Sequence, residues 1–113
     1  MESILTSIKK LLGIAEEYEH FDADLIMHIN SVFLILTQIG VGPSDGFIIT
    51  DSNATWNDFV PGDAKKMHAV KTYVYLKVKL LFDPPSNSTL IESTKALINE
   101  YEFRLNHAAE FDR

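Results

Sequence analysis

The stretch LLFDPPSNST, residues 80–89, decides how the second half of the chain folds. An apolar run with helical spacing leads into it and stops at two consecutive prolines, Pro84 and Pro85. Proline lacks a backbone N–H and pushes the residue before it out of the helical conformation, so no helix can continue through this pair. Thr89 and Glu92 then stand at the spacing of a capping box, which predicts the start of a new helix. These four residues therefore predict a sharp corner between two helices.

Apolar residues recur every three or four positions on both sides of this corner and in two segments closer to the N-terminus. The periodicity predicts helices at about 3–13, 22–39, 63–83 and 89–108. Asp22 is expected to cap the second helix with its carboxylate. That helix has apolar side chains in nearly every direction around its axis. We therefore expect it to be the central helix, or to complete its burial against another subunit.

Residues 44–60 interrupt the helical pattern. The β-forming residues 47–50 precede a turn cluster at 51–53 and a segment at 54–56 that fits a returning strand. An isolated hairpin is only marginally stable in water, so this segment needs a surface to pack on. The expected fold class is mainly α, a four-helix bundle with a protruding β-hairpin or extended loop between helices 2 and 3. Residues 1–113 are expected to form a single domain.

The composition and the net charge of the chain argue against several classes of protein function. The formal net charge of -6 disfavours binding to phosphate backbones and anionic lipid surfaces, and the lysine pairs at 9–10 and 65–66 are expected on solvated helix faces. The absence of cysteine excludes disulfides and thiolate metal sites. No apolar run approaches the ~18 residues of a membrane span, and the N-terminal residues lack a signal-peptide pattern. We therefore expect neither membrane insertion nor secretion.

No motif predicts catalysis, a metal or a cofactor. Glu17 and His20 have the spacing of a di-iron ligand pair, but a di-iron bundle needs two such pairs and two further carboxylates. The chain has no nucleophile elbow, and its glycines do not fit a phosphate-binding loop. We therefore expect a protein that is not an enzyme and holds no cofactor.

The aromatic residues of the 44–60 segment leave two interpretations open. Phe47, Trp56 and Phe59 either pin the segment to the core or are exposed as anchors in a protein interface, where aromatic residues are enriched. The sequence pattern alone does not decide between the two.

Four stretches carry a resemblance to a known family: SIKKLLGI (7–14), DADLIMHINSVFLILTQIGVGPSDGF (22–47), WNDF (56–59) and YVYLKVKLLFDPPSN (73–87). With the closing helix, they resemble the small head-tail connector, or adaptor, proteins of tailed bacteriophages that infect Gram-positive hosts. The resemblance covers nearly the whole chain. Its most specific parts are GVGPSDGF and LKVKLLFDPP.

The resemblance implies a structural protein of the virion, made in the bacterial cytoplasm and placed at the head-tail junction. Many copies, twelve in such families, would form a ring under the portal protein. This ring would extend the DNA channel and dock the next head-completion, stopper or tail protein. DNA would only pass through it, without sequence-specific binding, and no enzymatic activity belongs to the role.

The position and type of the residues suggest two contact regions within that role. The 44–60 segment is expected to touch the neighbouring subunit or the portal, and the segment from 101 to 113 is the second candidate. The expected interface residues are Phe47, Ile49, Trp56, Phe59, Tyr101 and Phe111.

Two other functions also fit the sequence. The first is another small phage neck or tail-completion protein. The second is a non-viral helical module that binds one partner protein. The non-viral module is expected to form a one-to-one complex with its partner and no ring, whereas the connector is expected to form a ring.

Overall fold

The computed structural model describes residues 2–111, without the side chain of Phe111, and within them the chain forms helices and no strand. The mainly α fold class is therefore confirmed. The helices are α1 (Ile4–Leu12), α2 (Asp22–Gln38), α3 (Trp56–Phe59), α4 (Ala64–Phe82) and α5 (Ser88–Phe111). The one-turn helix α3 lies inside the segment that was expected to be a hairpin or an extended loop.

Helix α4 occupies the centre of the fold. It packs against each of the other four helices, and Val70, Tyr73, Val74 and Val78 are fully buried on it. Helices α2 and α5 both pack on α4 but make no extended contact with each other. Of the two expectations for the second helix, the central position is therefore wrong, because α4 occupies it. The four-helix bundle is not confirmed, although α1, α2, α4 and α5 all contribute residues to one hydrophobic core. α5 reaches this core through its packing on α4, with Ile98, Leu105 and Ala109 buried.

The corner between α4 and α5 lies at the two prolines. α4 ends at Phe82, and α5 begins at Ser88. The cap of α5 is Asn87, whose side-chain oxygen accepts hydrogen bonds from the N–H groups of Thr89 and Leu90, at 2.8 and 3.3 Å. Because Asn87 occupies the N-cap position, no residue after it caps the helix.

The predicted capping box at this corner is therefore wrong. Thr89 lies inside the first turn of α5 and not before it. Glu92 pairs loosely with Lys95 at 3.8 Å on the exposed surface, one turn along the same helix. The start of α5 is still specified by a side chain, but by one that lies two residues earlier than expected.

The 44–60 segment contains no hairpin because its backbone partners lie elsewhere in the fold. The side-chain amide of Asn30 on α2 donates to the carbonyl of Ile49 at 2.9 Å and accepts from the N–H of Ile49 at 2.8 Å. This pair of hydrogen bonds satisfies Ile49 as a neighbouring strand would. Asn30 therefore holds the segment against α2 in an extended form, and the hairpin prediction is wrong.

The end of the segment is tied to the N-terminal residues of the chain. The N–H of Ile4 donates to the carbonyl of Ala54 at 2.9 Å, and an isolated antiparallel bridge joins Ser3 to Thr55. Thr55 then caps α3 in a capping box with Asp58. The carbonyl of Ala54 and the N–H of Trp56 thus bond to Ile4 and Glu2, and the backbone of Thr55 bonds to Asp58, so these groups do not pair with a strand at 47–50.

Replacement of Gly42 by alanine is expected to destabilise the fold more than the same change at Gly62. Both glycines have φ of 87°, so a side chain is strained at either position. A Cβ at Gly42 would also overlap the ring of Phe59, whereas a Cβ at Gly62 would meet nothing. Overpacking of a buried ring costs about 1–3 kcal/mol, which is the expected difference between the two variants in chemical denaturation. Equal losses would show that Phe59 moves aside freely.

Candidate interaction surfaces

An aromatic cluster fastens the 44–60 segment to the core. The ring of Phe33 on α2 lies 4.5 Å from Phe59, 5.3 Å from Phe47 and 6.4 Å from Trp56, measured between ring centroids. The indole N–H of Trp56 donates to the hydroxyl of Ser7 on α1 at 2.8 Å. Trp56 therefore fills the junction of α1 and α2 and has its polar atom satisfied, as a buried tryptophan requires.

The structure places the six expected interface residues in three kinds of environment. Ile49, Trp56 and Phe59 are buried inside the protomer. Phe47 and Tyr101 are partly exposed, and the side chain of Phe111 lies outside the described residues. The first three can reach another molecule only if the segment leaves the core. Of the two interpretations of these aromatics, pinning to the core describes Trp56 and Phe59.

Two surfaces expose apolar side chains that the sequence analysis did not name as interface residues. The first is on α2, and we call it the α2 stripe; it consists of Asp24, Met27, Ser31, Leu34 and Gln38, together with Ile48 beside it. Met27 and Leu34 are 59% and 61% exposed, and Leu34 and Ile48 line the same shallow hollow. Helical spacing places the five α2 residues on one face, turned away from α4. The over-apolar character of α2 was the signal for this surface.

The second surface is a groove between the start of α4 and the second half of α5, which we call the α4–α5 groove. It offers about 580 Å³ of space, and its lining includes Leu97, Tyr101 and Ala108 from α5 and Ala69 from α4. Lys65, Lys66 and Arg104 also line it. A mostly apolar groove with cations along it fits an apolar side chain flanked by carboxylates.

Lys9 forms a buried ionic contact that the sequence reasoning also missed. It was expected on a solvated face, yet only 2% of its surface is exposed. Its ammonium donates to the carbonyls of Glu16 and Tyr18, at 2.8 and 2.7 Å, and lies 2.8 Å from a carboxylate oxygen of Asp22. Asp22 consequently serves as an ion-pair partner, and the expectation that it caps α2 is wrong, since the N-cap position belongs to Phe21 and has no side-chain bond.

The candidate chemical features of the sequence do not come together in the fold. Glu17 and His20 lie in the exposed connector between α1 and α2, and not on a helix. Within residues 2–111, no three acidic or histidine side chains are grouped so that they could hold a metal ion. In the same part of the chain, no helix combines the length and apolarity that crossing a membrane requires.

Comparison with protein families gives one match, to the family described as phage connector protein, over residues 4–112. The chain belongs to the phage connector protein family. The matched region contains all five helices in full, so both the α2 stripe and the α4–α5 groove are parts of the connector domain. Comparisons with curated proteins and with solved structures gave no significant match.

Family membership establishes the broad role of this connector. It is a structural component of a phage virion, and connectors of this kind join other head and tail proteins. The family is structural and not enzymatic. The function of the connector therefore depends on the surfaces through which it contacts other proteins.

Replacement of Tyr73 by phenylalanine is expected to change how the stability of the connector depends on alkaline pH. The buried Tyr73 hydroxyl donates to Glu102 on α5 at 2.9 Å. Burial, followed by the hydrogen bond to Glu102 and its negative charge, raises the pKa of Tyr73 well above its usual range. The unfolded chain releases this proton near pH ~10, so this contribution is complete below that pH and declines above it. Chemical denaturation at a series of pH values from neutral to alkaline measures how the free energy of unfolding changes with pH.

The matched control for this titration is Tyr18→Phe, because Tyr18 is half exposed and lies outside the helices. Wild type and Tyr18→Phe should lose stability above pH ~10 more steeply than Tyr73→Phe. At neutral pH, Tyr73→Phe should cost about 1.5 kcal/mol for the lost bond to a carboxylate. Identical slopes in all three proteins would contradict a native state that keeps Tyr73 protonated.

Proposed function

We propose that this connector is the adaptor that forms a ring under the portal of a phage infecting a Gram-positive host. The ring, of twelve copies, extends the DNA channel and docks the next head-completion, stopper or tail protein. The observation that carries the proposal is the family match over residues 4–112. The stretches GVGPSDGF and LKVKLLFDPP support the adaptor class within that family.

The exposed apolar side chains on two separate helices support self-assembly. Monomeric proteins seldom leave large apolar patches in water, and such patches mark surfaces that another protein covers. The α2 stripe and the α4–α5 groove are distinct surfaces, since they share no residue. A ring needs two different surfaces on each subunit, because every copy contacts one neighbour on each side.

The charge of the connector supports passage of DNA without binding. Proteins hold DNA mainly through lysine and arginine side chains that displace counterions from the phosphates. The formal net charge of -6 works against such contacts over the molecule as a whole. A DNA channel continued by an acidic ring lets DNA slide through it.

The interface residues expected from the sequence have two kinds of role in this proposal, as direct contacts or as support from inside the protomer. Phe47 lies beside Leu34 and Ile48 of the α2 stripe, and Tyr101 lines the α4–α5 groove. In this proposal both contact the neighbouring copy or the portal. Ile49, Trp56 and Phe59 support the first of these surfaces from inside the protomer. Phe111, near the end of the chain, is proposed as a contact to the portal or to the next protein in the stack.

The test is the mass of the purified connector, alone and mixed with the portal protein, by analytical ultracentrifugation and electron microscopy. A closed ring with a central hole, or a second tier coaxial with the portal, is the expected result. A one-to-one complex with a single partner would instead favour a binding module. A connector that neither assembles alone nor adds a tier to the portal would overturn the proposal.

A further inference from the structure

The α2 stripe combines apolar side chains with carboxylates that lack partners. Met27, Leu34 and Ile48 are its exposed apolar groups. Asp24 lies at the beginning of the stripe and Asp45 beside the hollow of Leu34 and Ile48, and neither forms an ion pair within the described residues. The stripe itself contains no lysine or arginine. It is therefore an apolar surface with acidic edges.

The α4–α5 groove has the complementary character. Of its two carboxylates, Glu100 pairs with Arg104 at 2.6 Å, and Asp63 keeps its charge while it caps α4 by accepting from the N–H of Lys66. The cations Lys65, Lys66 and Arg104 therefore outnumber the carboxylates of the lining. The ammonium groups of Lys65 and Lys66 have no ion-pair partner within the described residues. The groove therefore presents two unpaired cations beside the apolar side chains of its lining.

We propose that the α2 stripe of one copy docks into the α4–α5 groove of the next copy of this chain. Leu34 and Ile48 then fill the groove, while Asp45 beside them faces Lys65 and Lys66. Asp24, about 15 Å further along α2, adds to the negative charge of the same face. The contact is heterologous, because each copy uses one surface for each neighbour, and repetition of such a contact generates a ring when the rotation closes. This inference rests on the proposed function, in which the protein forms a ring.

Charge reversal on each surface tests the contact. The variant Asp24→Lys with Asp45→Lys makes both contacting surfaces basic, and the variant Lys65→Glu with Lys66→Glu makes both acidic. Like charges face each other in each variant alone, so self-association should weaken by about a hundredfold. When the two variants are mixed, every contact joins opposite charges, and assembly should return.

Mixing is the decisive step because a general loss of folding or solubility cannot be repaired by a second damaged protein. Circular dichroism of each variant shows whether the helices persist. The matched control for the Lys65→Glu and Lys66→Glu variant is Lys10→Glu with Lys77→Glu. It changes the net charge by the same amount, away from both surfaces, and should assemble as wild type does. A mixture that stays unassembled would overturn the proposed contact.

Cysteine cross-linking tests the same contact without relying on charge, since the natural chain has no cysteine. Leu34→Cys and Leu97→Cys place one thiol on each surface, and both leucines are exposed. A short thiol cross-linker should join the two variants only when they are mixed. Cross-linking of Leu34→Cys to itself would indicate a two-fold contact and would overturn the heterologous arrangement.

The two levels of the proposal fail in different ways. A wild-type protein that forms rings, with charge variants that also form rings and thiols that do not cross-link, would overturn this contact while leaving the ring in place. A wild-type protein that forms no ring, alone or on the portal, would overturn the proposed function and this contact with it.

Discussion

Replacement of Lys9 by alanine is expected to lower the free energy of unfolding by about 3 kcal/mol, the lower end of the range for breaking a buried ion pair, because Asp22 is partly exposed. The substitution removes the cation that the carboxylate of Asp22 faces, and it also leaves the carbonyls of Glu16 and Tyr18 without their donor. These three groups bring the 13–21 connector against α1 and the start of α2. Urea denaturation followed by circular dichroism measures the loss.

The control for Lys9 is its neighbour Lys10, which is exposed and forms no ion pair within the described residues. Lys10→Ala should change the stability by less than about 0.5 kcal/mol, as surface substitutions usually do. Lys9→Met separates charge from packing, because it keeps an unbranched side chain of similar length. Equal effects of Lys9→Ala and Lys10→Ala would contradict the buried position of Lys9.

Replacement of Trp56 by alanine is expected to cost about 3–5 kcal/mol, the range for removing a large buried aromatic side chain. The change leaves a cavity between α1 and α2 beside Phe33, and it removes the donor to the hydroxyl of Ser7. A small domain has only about 5–15 kcal/mol of stability, so most of the margin disappears. Thermal unfolding followed by circular dichroism should show a much lower midpoint.

Two further variants separate the core role of Trp56 from an interface role. Trp56→Phe keeps a ring in place but loses the hydrogen bond to Ser7, so it should cost less than Trp56→Ala. Phe103→Ala removes an aromatic side chain that is 70% exposed, and it should leave stability nearly unchanged. If Trp56→Ala kept normal stability and only assembly was lost, the core assignment would be contradicted and the interface role expected from the sequence would stand.

The long elements of the fold are readable from local sequence. Periodicity indicates α1, α2, α4 and α5 because each has apolar residues at helical spacing, and Pro84 and Pro85 stop α4 by their covalent structure. The short helix α3 is harder to read. It contains only four residues, and its capping box with Thr55 and Asp58 is the one local signal for it.

The parts that sequence reasoning misplaced depend on contacts between distant residues. Residues 47–50 have the composition of a strand, but the backbone of Ile49 pairs with the side-chain amide of Asn30 on α2 and not with a neighbouring strand. Lys9 and Lys10 are adjacent and chemically identical, and only the path of the connector decides that one is buried. Burial of Trp56 likewise follows from the approach of α1, which no local pattern records.

The interface residues illustrate the same limit. For Trp56 and Phe59 the sequence left both packing on the core and exposure at an interface open, and only the fold shows that their neighbours cover them. The only sign of the α2 stripe in the sequence is the excess of apolar residues in α2. Which of these residues face outward depends on where α4 packs, and that position is set by the whole fold.

Electron microscopy of the neck of virions that carry this connector tests the central claim most directly. The account predicts a ring of this chain immediately below the portal, with the α2 stripe of each copy seated in the α4–α5 groove of the next and DNA passing through the centre. Density for the chain outside the neck, or present there as a single copy bound to one partner, would contradict it.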